Sequence, residues 1–138
     1  MKNFYLLVLL MTAVAFTGCK KDDEDKQKQN IVGKWYVKQT IEKEIVNGVV
    51  ISEETETDFD TDYYFEFTKE GKMIENISGD KYTGSYQVKG NNRVAITFQD
   101  EEPDDYEIRK LNSTEMILYI EDEDGPNSKE TIEITFRK

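Results

Sequence analysis

The sequence contains no histidine and a single cysteine, Cys19. That set excludes a Cys/His dyad, a multi-cysteine metal cluster and an intrachain disulfide. Positive charge is also scarce. Eighteen Lys and Arg stand against 29 Asp and Glu, a formal charge of −11, which disfavours binding to nucleic-acid phosphate or to a bare anionic membrane. Apolar runs are short: the longest, Phe4 to Phe16, is broken by Thr12 and falls below the roughly 20 residues of a membrane-spanning helix. Only two prolines and 8 glycines occur among 138 residues, a length that allows one domain. Aromatic residues are the abundant class, at 12% against 37% apolar overall, which suits a small β-rich domain rather than a disordered chain.

Residues 1–18 read as an export signal, with Lys2 before the apolar run and small Thr17 and Gly18 after it. Phe16-Thr17-Gly18-Cys19 resembles the lipobox of bacterial lipoproteins, which implies that Cys19 is lipidated and becomes the first mature residue. Lipidation would account for a lone cysteine in an exported protein, and several acyl chains such as palmitate give stable anchoring. Lys20-Lys21-Asp22-Asp23-Glu24-Asp25 follows directly. The match at Lys21, Asp22, Asp23 and Glu24 resembles the surface-export signal of Bacteroidetes-type lipoproteins. A lipid-anchored outer-membrane protein facing the cell exterior is therefore expected, with a periplasm-facing one as the alternative. Residues 19–30 are expected to be the lipidated cysteine and a flexible charged linker, and residues 31–138 the folded domain.

From Ile31 onward apolar residues recur at period two, with turn residues about every 8–12 positions. Gly33, Trp35, Val37 and Ile41 share one face of a first strand, and Tyr63, Phe65 and Phe67 one face of a later strand. Asn47-Gly48 is a type I′ hairpin dipeptide. Further strands carry Met73 to Ile77; Tyr82, Gly84, Tyr86 and Val88; and Val94, Ile96 and Phe98. The last ones carry Tyr106 and Ile108; Met116, Leu118 and Ile120; and Ile132, Ile134 and Phe136. Eight or nine strands with short connections predict an all-β, antiparallel, up-and-down barrel.

Ile31-Val32-Gly33-Lys34-Trp35 resembles the G-x-W entry of lipocalins. Phe65-x-Phe67-Thr68-x-x-Gly71-Lys72, followed by Gly84-x-Tyr86, is similar to the lipocalin-like domain of Bacteroidetes lipoproteins. The resemblance implies a barrel whose interior takes a small molecule, and a basic side chain stacked on Trp35. Arg137 is the nearest candidate for that stack, although strand parity points it outward.

Without histidine or a spare thiol, catalysis would need paired carboxylates, Ser with Lys, or a metal on oxygen ligands. The carboxylates read as solvated loops and outward strand positions, so no enzyme and no cofactor are expected. Asp58, Asp60 and Asp62 alternate as hard-cation ligands do, but Tyr63 stands where a calcium loop needs glycine, so no metal is expected there. The functional expectation rests on the interior. Trp35, Tyr63, Phe65, Phe67, Tyr82, Tyr86 and Phe98 should line a site for a small apolar or amphipathic molecule, unless they simply fill the core. The alternative is a solid barrel docking an envelope partner, with Tyr36, Tyr64, Ile117 and Tyr119 on its outer face.

Overall fold

The structure is a computed structural model that describes residues 19–99 and 101–138. The signal peptide expected over residues 1–18 lies outside the described residues. One helix, α1 (Cys19–Ile31), precedes nine strands. These are β1 (Gly33–Val46), β2 (Val49–Glu56), β3 (Tyr64–Phe67), β4 (Lys72–Ile77), β5 (Asp80–Lys89), β6 (Arg93–Phe98), β7 (Asp104–Leu111), β8 (Glu115–Glu123) and β9 (Ser128–Arg137).

All pairings are antiparallel. Strands β3 to β9 follow one another as neighbours, and β1 pairs with both β3 and β9, so eight strands close into a barrel. Strand β2 is the ninth. It folds back on the upper half of β1, Thr40 to Val46, through the Asn47-Gly48 turn, whose φ values of 54° and 78° suit a type I′ hairpin. It leaves its other edge unpaired.

One correction concerns the inward set of β1. The register against β9 passes from Val37↔Phe136 to Gln39↔Thr135, leaving Lys38 as a bulge. A one-residue insertion exchanges the faces of everything beyond it. Ile41 therefore faces outward with Lys43 and Ile45, while Thr40 and Glu42 oppose the inward Ile134 and Ile132.

A second difference concerns the linker. Its charged residues form α1 rather than an open tether. A polar helix of 13 residues is marginal alone, and this one is held at its end. Ile31 is fully buried in the barrel core, and the Gln27 side-chain amide donates to Asn92 Oδ1 at the β5–β6 turn. Together these close the base of the barrel.

Trp35 completes that closure. Its indole N–H donates to the carbonyl of Ile31 at 2.7 Å, and the Lys138 ammonium lies 4.3 Å above its ring. Lys138 thus occupies the place to which Arg137 was the nearest candidate. It passes beside Gly33, where a Cβ would crowd its Cε at 3.1 Å. Arg137 points outward, as parity requires, and pairs with Glu115.

Candidate functional site

The two halves of the barrel differ in packing. In the lower half, Trp35, Phe67, Met73, Val94, Ile96, Met116, Leu118 and Phe136 are fully buried. Phe65 meets Phe136 at 5.1 Å between ring centroids, and Phe67 meets Tyr86 edge-on at 5.0 Å. The Tyr86 hydroxyl is satisfied by donation to the Thr68 carbonyl at 2.6 Å. Four of the seven expected ligand contacts, Trp35, Phe65, Phe67 and Tyr86, therefore form a solid floor.

The other three lie above it. Tyr63 and Phe98 are half-buried against the core, and Tyr82 is 51% exposed. Strand β5 rises to Asp80, whereas β6 stops at Phe98, opposite Gly84. The step leaves a notch in the wall and a cavity of about 510 Å³, lined by Glu75, Ile77, Lys81, Tyr82, Thr83, Phe98, Gln99 and Glu101. Gly84 is needed beneath it, because any Cβ there would collide with the carbonyl oxygen of Thr97.

Glu75 was not among the expected site residues. Its signal was parity: Met73, Glu75 and Ile77 alternate on one face of β4, and Glu75 was the polar one. It is half-buried and accepts a hydrogen bond from the Tyr63 hydroxyl at 3.2 Å. Burial raises its pKa above the ordinary carboxylate value, an effect the Tyr63 hydrogen bond opposes. Burial, with the adjacent Glu75 charge, also keeps the Tyr63 hydroxyl protonated well above its usual range. Tyr106 nearby is pushed up to about 12, chiefly by burial and then by Asp104. Asp104 is itself raised, by burial and then by the negative charges of Glu101 and Asp122. The upper end thus combines half-buried rings with crowded carboxylates.

The acidic loop below the β4–β5 turn is occupied structurally. The Ser78 hydroxyl donates to the Asp60 carboxylate, and the Asn76 amide to the Asp62 carbonyl at 2.6 Å. Asp58 is exposed. Among the described residues no three His, Cys, Asp or Glu side chains converge as a metal-holding group.

The outward aromatics fall into two groups with β9 between them. Tyr36 and Tyr64 pair across β1 and β3 at 5.9 Å. On β8, Tyr119 carries the Arg109 guanidinium 3.4 Å above its ring. A larger depression, about 750 Å³, lies at the base beside α1, but Val32 is the only apolar residue among Asp25, Lys28, Gln29, Val32 and Lys69 that line it. Its wall offers little to an apolar molecule.

The sequence matches the model of the lipocalin-like domain over residues 31–118. The chain belongs to that family. The match runs from Ile31, the base plug, through Leu118 on β8, and so spans the G-x-W entry and the whole rim of the upper cavity. No curated protein matches the sequence. A solved structure of apocrustacyanin C1 is similar at 14% identity and a TM-score of 0.48, over 87% of this chain and 71% of that one. The lipocalin-like domain thus presents one open end, and the expected aromatics divide between its floor and its mouth.

Proposed function

We propose that this lipocalin-like protein is a lipid-anchored outer-membrane lipoprotein that holds a small apolar or amphipathic molecule in its upper cavity. The observation that carries the ligand reading is the pair of apolar side chains left to solvent there, Tyr82 at 51% and Ile77 at 39% exposure, beside half-buried Phe98 and above a filled floor. Such a wall is costly in water and favourable against an apolar ligand. The action is binding without bond making, in keeping with the absence of histidine.

The fluorescence of N-phenyl-1-naphthylamine tests this. The dye should brighten on binding, and Phe98→Ala should weaken it about tenfold through lost apolar contact. An unchanged affinity in Phe98→Ala would move the site elsewhere.

Anchoring rests on Gly18-Cys19 and the run Lys21 to Glu24. Gln27 touches the base turn and Glu24 lies against Gly90 beside it, which supports an orientation with the base toward the membrane and the cavity away from it. A second reading, docking of an envelope partner, draws on the free edge of β2, where Val49, Val50 and Ile51 are exposed. It would replace the ligand reading if the dye failed to enter the cavity.

A further inference from the structure

We propose that the upper cavity selects an amphipathic cation: an apolar body carrying an ammonium or guanidinium group. This rests on the reading of the cavity as the ligand site and adds the chemistry of the ligand.

The argument begins with where charge is neutralised. Among the described residues every ion pair joins side chains on the outer face of the barrel. Lys34–Glu66, Lys43–Glu53, Arg93–Asp105, Arg109–Glu133, Lys110–Glu115 and Lys129–Glu121 are examples. Each member stands at a register position opposite in parity to the core residues of its strand.

The inner face of the upper half is different. Beyond the Lys38 bulge, Glu42 and Glu54 face each other across β1 and β2, and Thr40 opposes Glu56. Glu44 opposes Glu130 across β1 and β9, and Asp122 opposes Glu130 across β8 and β9. Asp104 stands opposite the inward Ile96, and Glu75 opposite the inward Phe65. No Lys or Arg shares this face, since the inward partners are Ile120, Ile132, Ile134, Tyr82 and their neighbours. Lys81 reaches the notch, but from the outward register, opposite Asn76.

The second observation is independent of these acids. The cavity wall carries the solvent-exposed Tyr82 and Ile77 beside Phe98, and at its inner side Glu75 is half-buried, with the Tyr63 hydroxyl as its hydrogen-bond donor. A carboxylate drawn from water without a cation is unfavourable, and its strongest partner is a charge-assisted donor. An apolar body resting on Phe98 and Tyr82 would bring a cationic head to Glu75, with the rim carboxylates drawing it in. An anionic amphiphile such as a fatty acid would meet repulsion at every step.

The experiment uses the purified full chain, freed of lipid by Cys19→Ser, and calorimetric titration with decylammonium, decanol and decanoate below their micellar concentrations. Decylammonium should bind about tenfold tighter than decanol, and decanoate more weakly than either. Glu75→Gln should weaken decylammonium about fivefold and leave decanol unchanged, while Glu66→Gln on the outer face changes neither. Decanoate binding as tightly as decylammonium would overturn the inference, and so would an equal loss in Glu66→Gln, the mark of diffuse attraction to an acidic chain. In either case, continued decanol binding would leave the ligand reading standing. Failure of all three probes to bind would remove both.

Discussion

Two glutamates show how position alone reverses the meaning of one side chain. Glu75 is half-buried and its pKa is raised, so its contribution to stability is fully present below the unfolded carboxylate value and is lost as pH rises through the folded one. Glu115 is nearly buried on the outer face, where the Lys110 hydrogen bond and the Arg137 charge hold its carboxyl below the ordinary range. Its contribution is present above the unfolded value and is lost as pH falls through the folded one. Glu75→Gln should therefore raise the melting temperature at pH 7, and Glu115→Gln should lower it. Both differences should shrink toward zero below about pH 3, where the carboxylates of folded and unfolded chains are protonated. Circular-dichroism melts at pH 7 and pH 3 check the signs, and equal shifts at both values would show that charge is not the cause.

Among the elements, α1 and β1 depart most from a plain reading of composition and parity. Helix α1 is polar along its length except at Ile31, so its docking depends on that residue more than on helix propensity. Ile31→Ala should cost about 2–4 kcal/mol in denaturant unfolding, as for other fully buried aliphatic truncations. Gln27→Ala, which removes an exposed hydrogen bond, should stay within about 0.5 kcal/mol. Comparable losses in the two variants would mean that Ile31 is not the plug. In β1, alternation from Gly33 to Val37 was legible, but the Lys38 bulge has no local signature. Lys38 is an ordinary strand residue, and the bulge exists because β9 pairs on both sides of it.

At the scale of the whole molecule, the closed base and open mouth sit at opposite ends, and the chain enters at the base through α1. Lipidation at Cys19 would give this polarity a purpose, holding the base at the membrane with the acidic mouth outward. Cys19→Ser should abolish palmitate labelling and move the protein to the soluble fraction. Replacing Asp22, Asp23 and Glu24 by Ala should hide the lipidated protein from external protease. Membrane association that survives Cys19→Ser would refute the anchor, and unchanged protease sensitivity of the triple variant would reduce the acidic run to a spacer.

The sequence by itself determined the strand count within one, the hairpin at Asn47-Gly48, the antiparallel meander and the inward rings from Trp35 to Phe136. These follow from period-two alternation and turn chemistry, which are local. Only the tertiary structure decided which rings are floor and which are mouth. Parity says that Phe67 and Phe98 both point inward, but how far up the barrel each sits depends on the stagger of neighbouring strands. Stagger also decided that Lys138 rather than Arg137 reaches Trp35, and that the bulge turns Glu42 and Glu44 to the inner side. Register is a relation between strands distant in the chain, and no single segment contains it.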